Sequence, residues 1–129
     1  MASSVTKKRI LVIDDEPQNL DIMRELLRIE YSVIATTNAE RALAFAFSST
    51  PPDLVMLDIE MPGIDGYEVL RRLKADPRTI SLPVILVTGQ GEIDEKMAGY
   101  ERGASDYITK PFHGSFVLDI VHRLLDKRQ

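Results

Sequence analysis

Cysteine is absent from this chain of 129 residues. That excludes disulfides, a thiol nucleophile and cysteine-ligated zinc or iron–sulfur centres, and it suits a reducing cytoplasmic location. Long apolar runs are lacking too, since all fall far short of the ~20 residues that a membrane-spanning helix requires. Lys7-Lys8-Arg9 precedes an apolar stretch, but that stretch stops at Asp14, well before the roughly 7–15 residues of a secretory signal core. No membrane partner is therefore expected. An excess of positive charge is also missing: the formal net charge is -4, so bulk electrostatics favour neither nucleic acid nor an acidic membrane surface. No direct nucleic-acid contact is expected. Internal repeats, linkers and low-complexity tracts are absent as well.

What is present describes a globular domain. Hydrophobic residues make up 44% and charged residues 28% of the chain, and the length suits one domain with a respectable core. Residues 1–7 are expected to form a disordered N-terminal tail and residues 8–127 the domain. Short apolar runs alternate with helical patterns. Ile10–Ile13, Leu54–Leu57 and Val84–Val87 are continuously apolar, as strands covered on both faces should be. Ser32–Thr36 and Asp106–Ile108 are more polar and suit the edges. Pro17 can open a first helix whose Leu20, Met23 and Leu27 share a face. Further helices are expected over Ala39–Phe47, from the Met61–Gly66 loop to about Ala75, over roughly Ile93–Arg102, and up to about Asp126. Right-handed crossovers with the apolar strands central give an α/β, flavodoxin-like (βα)5 doubly wound sandwich, its parallel five-stranded sheet in the order 2-1-3-4-5.

Polar residues terminate these strands. Asp14 and Asp15 follow the first, Asp58 the third, Thr88 the fourth, and Lys110 the stretch Tyr107-Ile108-Thr109. Parallel strands would gather all five groups at one edge, where open α/β sheets bind ligands. Carboxylates 4 Å apart repel by about 1–4 kcal/mol per pair, depending on the effective dielectric. The group therefore calls for a proton, an ammonium or a cation. Oxygen-only ligands suit Mg²⁺ beside a phosphate, with Mn²⁺ as a substitute. Lys110 suits a phosphate oxygen, and an Asp facing a metal can serve as nucleophile.

Taken together, the chain resembles the receiver domain of two-component response regulators over roughly residues 8–127. The matching elements are Asp14-Asp15, then Asp58 within Leu57-Asp58-Ile59-Glu60-Met61-Pro62-Gly63-Ile64-Asp65-Gly66, Thr88-Gly89, and Asp106-Tyr107-Ile108-Thr109-Lys110-Pro111-Phe112. The resemblance implies that Asp58 accepts a phosphoryl group from a histidine kinase or a phosphotransfer protein. It implies that Asp15 and Asp58 ligate Mg²⁺ directly, with Asp14 acting through water and the Glu60 backbone carbonyl completing the set. Lys110 would hold a phosphoryl oxygen and join Pro111 through a cis peptide. Thr88 and Tyr107 would move together and alter the surface of the fourth helix, fifth strand and fifth helix, the surface for a downstream partner, a homodimer or an attached output domain. Glu60 and Gln90 would tune the phosphoryl lifetime. The resemblance implies a signalling switch that catalyses only its own phosphorylation and dephosphorylation.

Other readings compete. Asp58-Ile59-Glu60 resembles the Asp-x-Asp opening of haloacid-dehalogenase-type phosphatases, but Glu60 is longer than their general acid, and Asp14-Asp15 has no place there. A flavodoxin-type electron carrier wants a glycine- and hydroxyl-rich loop after the first strand, where this chain has Asp14-Asp15-Glu16-Pro17. A phosphate-independent pseudo-receiver would retain the fold alone. His113 and His122 are expected at the surface. The rows Phe116-Ile120-Leu124 and Val117-Val121-Leu125 suit a broad core face on the last helix, or in part a partner surface. Gly99 and the Gly89-Gln90-Gly91 stretch suggest a less stable fourth helix. With the chain ending at Gln129, either a stand-alone receiver or a fragment of a longer regulator is expected.

Overall fold

We describe a computed structural model of the chain over residues 7–59, 66–89, 102–111 and 113–126. Five strands, β1 (Arg9–Ile13), β2 (Ser32–Thr36), β3 (Leu54–Asp58), β4 (Val84–Thr88) and β5 (Asp106–Thr109), form one parallel sheet in the order β2-β1-β3-β4-β5. Four helices are described: α1 (Pro17–Leu27), α2 (Ala39–Ala46), α3 (Gly66–Lys74) and α4 (Gly114–Asp126). The expected helix over Ile93–Arg102 falls outside the described residues except for Arg102, which sits in a turn. The expected tail also lies outside them up to residue 6, and Lys7 donates through Nζ to the Arg28 carbonyl.

Strand alternation divides the core in two. Ile10, Val12, Leu54, Met56, Ile85, Val87 and Ile108 face α1 and α4. Leu11, Ile13, Val55, Leu57, Val84, Leu86 and Tyr107 face α2 and α3. β3 and β4 are buried at every position and β2 at none, which is why hydrophobicity alone ranked central against edge strands.

Local chemistry starts and stops the helices. Pro17 opens α1 after Glu16, whose extended backbone makes it the N-cap. Asn38 caps α2 by accepting the Arg41 N–H at 2.9 Å. α3 ends in Arg71, Arg72 and Lys74, which complements the negative end of its dipole. Gly103, in the turn before β5, has φ of 104°, a left-handed conformation open to glycine. On α4 the two expected rows differ: Val117, Ile120, Val121 and Leu125 are buried, while Phe116 is 52% exposed.

Candidate active site at the carboxyl edge of the sheet

Register determines which side chains meet. Ile13 pairs with Leu57, so the next residues, Asp14 and Asp58, stand level on neighbouring strands. Asp58 pairs with Val87, and Thr88 pairs with Thr109, which brings Thr88 and Lys110 to the same edge. Four of the five expected site residues, Asp14, Asp58, Thr88 and Lys110, are thus carried by strand ends, and Asp15 follows in the β1–α1 loop.

Both central carboxylates are withdrawn from solvent, Asp58 to 1% and Asp14 to 4% exposure. Burial of like charges demands a counter-charge, and Lys110 supplies it. Its Nζ lies 3.2 Å from Asp58 Oδ2, 3.3 Å from Asp14 Oδ2 and 4.0 Å from Glu16 Oε1. The backbone holds this lysine in place: its N–H donates to the Thr88 carbonyl at 2.7 Å, and the Lys110–Pro111 peptide is cis. Burial acts to lower the Lys110 pKa, but the charges of Asp58 and Asp14 and their hydrogen bonds outweigh it, so the ammonium is held above its ordinary value. Asp14 divides its oxygens, Oδ1 accepting the Glu16 N–H at 2.9 Å while Oδ2 faces Lys110.

One carboxylate oxygen from each of Asp14, Asp15 and Glu16 lies within 4.8 Å of the others. Glu16 was not singled out from the sequence as a site residue. Its signal was the unbroken acidic run from 14 to 16 directly after a strand. Glu60 and Gln90, expected to tune the site, lie outside the described residues, as does the loop 61–65.

Gly66 shows how closely α3 approaches β3, the strand that ends in Asp58. A Cβ at this position would lie 2.4 Å from Ile59 Cα and 2.5 Å from the Asp58 carbonyl oxygen. Thr88 is fully buried, and Tyr107 is 5% exposed. Leu86 pairs with Tyr107 and Thr88 with Thr109, so Thr88 and Tyr107 lie two steps apart on the sheet face toward α3. The Tyr107 hydroxyl lies 3.1 Å from that of Tyr67 on α3, and the Arg102 guanidinium sits 4.4 Å above the Tyr67 ring. Tyr67 also escaped sequence reasoning.

The family model for the response regulator receiver domain matches residues 10–122. The chain belongs to the response-regulator receiver family. This receiver domain is 40% identical over 118 residues to the DNA-binding dual master transcriptional regulator RpaA of Synechocystis, covering 91% of this chain and 48% of that protein. It is 42% identical over 104 residues to the response regulator PleD of Caulobacter vibrioides, covering 80% of this chain and 23% of PleD. Among solved structures it is similar to the signal receiver domain of a signal transduction histidine kinase from Syntrophus aciditrophicus, with 34% identity, a TM-score of 0.83, and coverage of 93% of this chain and 91% of that one. The receiver thus spans about half or less of the length of these curated relatives. One of them is named for DNA binding, so the expectation of no direct nucleic-acid contact finds no support among relatives. Among the described residues no helix is long and apolar enough to cross a membrane. Receiver domains generally bind Mg²⁺ at an acidic cluster, and the donor chemistry of the Asp14-Asp15-Glu16 group, all oxygen and anionic, fits that ion.

Proposed function

We propose that Asp58 is the phosphoacceptor of a two-component signalling switch acting in the cytoplasm. The observation that carries this reading is the buried Asp58 carboxylate held 3.2 Å from the Lys110 ammonium, beside the acidic group at the sheet edge. An Asp58 oxygen attacks the phosphorus of a histidine-kinase or phosphotransfer-protein phosphohistidine, or of a small phosphodonor. The bond from phosphorus to its leaving group breaks, P–N to the histidine imidazole or to ammonia from phosphoramidate and P–O to acetate from acetyl phosphate, and an aspartyl phosphate forms. Lys110 stays with the acceptor and neutralises a phosphoryl oxygen, a task suited to a compact ammonium. Asp15 and Asp58 directly, Asp14 through water and the Glu60 carbonyl would hold Mg²⁺, or Mn²⁺ in its place, which supplies positive charge to the phosphoryl oxygens. Asp14 also shares Lys110 with Asp58, so it tunes the charge at the acceptor.

Thr88 turns its hydroxyl toward the new phosphoryl group, and this rearrangement holds Tyr107 in the buried position it occupies on the same sheet face. The surface around β5 and α4 then changes for a downstream partner, a second receiver or an output domain. Glu60 and Gln90 tune hydrolysis, and the chain catalyses only its own phosphorylation and dephosphorylation.

Labelling with acetyl phosphate or phosphoramidate, read by intact mass, tests the reading. We expect one phosphoryl adduct on the wild type with Mg²⁺, and none after chelation or in Asp58→Asn. An adduct that persists in Asp58→Asn would move the acceptor elsewhere. A folded wild type that forms neither an adduct nor a beryllofluoride complex would favour the pseudo-receiver reading.

A further inference from the structure

A tyrosine hydroxyl taken into an apolar core needs a polar partner, because an unpaired one costs free energy on burial. Tyr107 belongs to the core cluster between the sheet and α2 and α3, and its hydroxyl meets that of Tyr67 at 3.1 Å. Tyr67 stands in the first turn of α3, directly after Gly66, the residue packed against the Asp58 carbonyl and the Ile59 Cα. The position of Tyr67 is thereby tied to the backbone that bears the acceptor. Its ring is half-buried and lies beneath the Arg102 guanidinium, in the turn that leads into β5. A cation over an aromatic face restrains the ring. One aromatic side chain therefore meets both the Tyr107 hydroxyl and the turn that enters β5, while Gly66, the residue before it, abuts the end of β3.

We propose that Tyr67 is a positioning residue that clasps Tyr107 in its buried rotamer. It forms a second line of coupling between the acceptor strand and the β5 surface, separate from the Thr88 side chain. This inference rests on the receiver reading for its functional consequence, though not for the clasp itself. If the buried rotamer accompanies the activated form, the Tyr67 hydroxyl favours activation, because a contact made in one state alone shifts the population toward that state. Losing one such hydrogen bond should weaken capture of an activating ligand by about three- to tenfold.

The test uses the whole chain labelled with 3-fluorotyrosine, its four tyrosines assigned by single Tyr→Phe variants and followed by ¹⁹F NMR. Tyr67→Phe removes the hydroxyl but keeps the ring beneath Arg102. We expect the Tyr107 resonance of Tyr67→Phe to move toward that of an exposed ring without any ligand. We also expect the Mg²⁺-dependent affinity for beryllofluoride to fall about three- to tenfold. Tyr107→Phe should lose a similar factor, and the double variant no more than either single one, as for two partners in one bond. A Tyr107 resonance that stays where it is in Tyr67→Phe, or losses that multiply in the double variant, would overturn the clasp. Failure of the receiver reading would look different: wild type would take up neither phosphoryl group nor beryllofluoride, while the ligand-free Tyr107 resonance would still report on Tyr67.

Discussion

The Thr79 hydroxyl, 1% exposed, donates to the Leu73 carbonyl at 2.5 Å. That carbonyl is one of the last four of α3, which have no partner within the helix. Thr79→Val keeps the shape and removes the donor, so it should lower stability by about 1–3 kcal/mol. Thr79→Ser should lose clearly less, and urea melts of both variants will show whether the hydroxyl or the packing matters. Individual residues differ in how far sequence announces them. Asp14, Asp58, Thr88 and Lys110 were legible because each is a polar residue closing an apolar strand. Glu16 and Tyr67 were not. Glu16 reads as a helix start, and the role of Tyr67 depends on a partner on β5, forty residues away, with which it shares no pattern. His122 looked like an ordinary surface histidine, yet its Nε2 lies 2.9 Å from a Glu30 carboxylate oxygen.

Among the helices, α3 makes a close backbone approach to β3, the strand that carries Asp58. Its first residue leaves no room for a side chain against Ile59 and Asp58. Gly66→Ala must push α3 away or shift the end of β3, and overpacking of this kind costs typically 1–3 kcal/mol. The shift falls on Asp58 and Ile59 at the end of β3, and on Tyr67 next to Gly66. Labelling of Asp58 by acetyl phosphate should therefore slow by more than the loss of folded protein explains. An unchanged labelling rate in folded Gly66→Ala would show that β3 tolerates the displacement. On α4 two rows are equally apolar by spacing, but packing buries Val117, Ile120, Val121 and Leu125 and leaves Phe116 outside. Helical spacing shows which residues share a stripe. How wide a stripe the sheet covers depends on the angle at which the helix lies across it.

Across the whole molecule, the loop after α1 meets the end of α4 at Tyr31. Burial above all, then the Glu30 and Asp126 carboxylates, push the Tyr31 phenol up to about 12. The His122 ring lies 6.2 Å from the Tyr31 ring. The folded-state pKa is raised above the ordinary value of 10.0, so the folded state holds this proton more tightly than the unfolded state. The contribution to stability is fully present below about pH 10 and is lost as pH rises through about 12. Denaturant melts between these values should show a steeper alkaline decline in wild type than in Tyr31→Phe, and equal slopes would assign the decline to other groups.

Local sequence signals were enough to prescribe the architecture and the sheet edge where the candidate site residues gather. Continuous apolar runs marked the central strands, alternation with helical periods implied a parallel sheet, and polar residues at strand ends named one edge, all signals that are local along the chain. Only packing made Lys110 serve two buried carboxylates and reach Glu16, set Gly66 against β3, and brought Tyr67 to Tyr107. Those relations join residues far apart in sequence. They are set by strand register and by how the helices lie on the sheet, quantities that emerge only when both faces of the core pack at once.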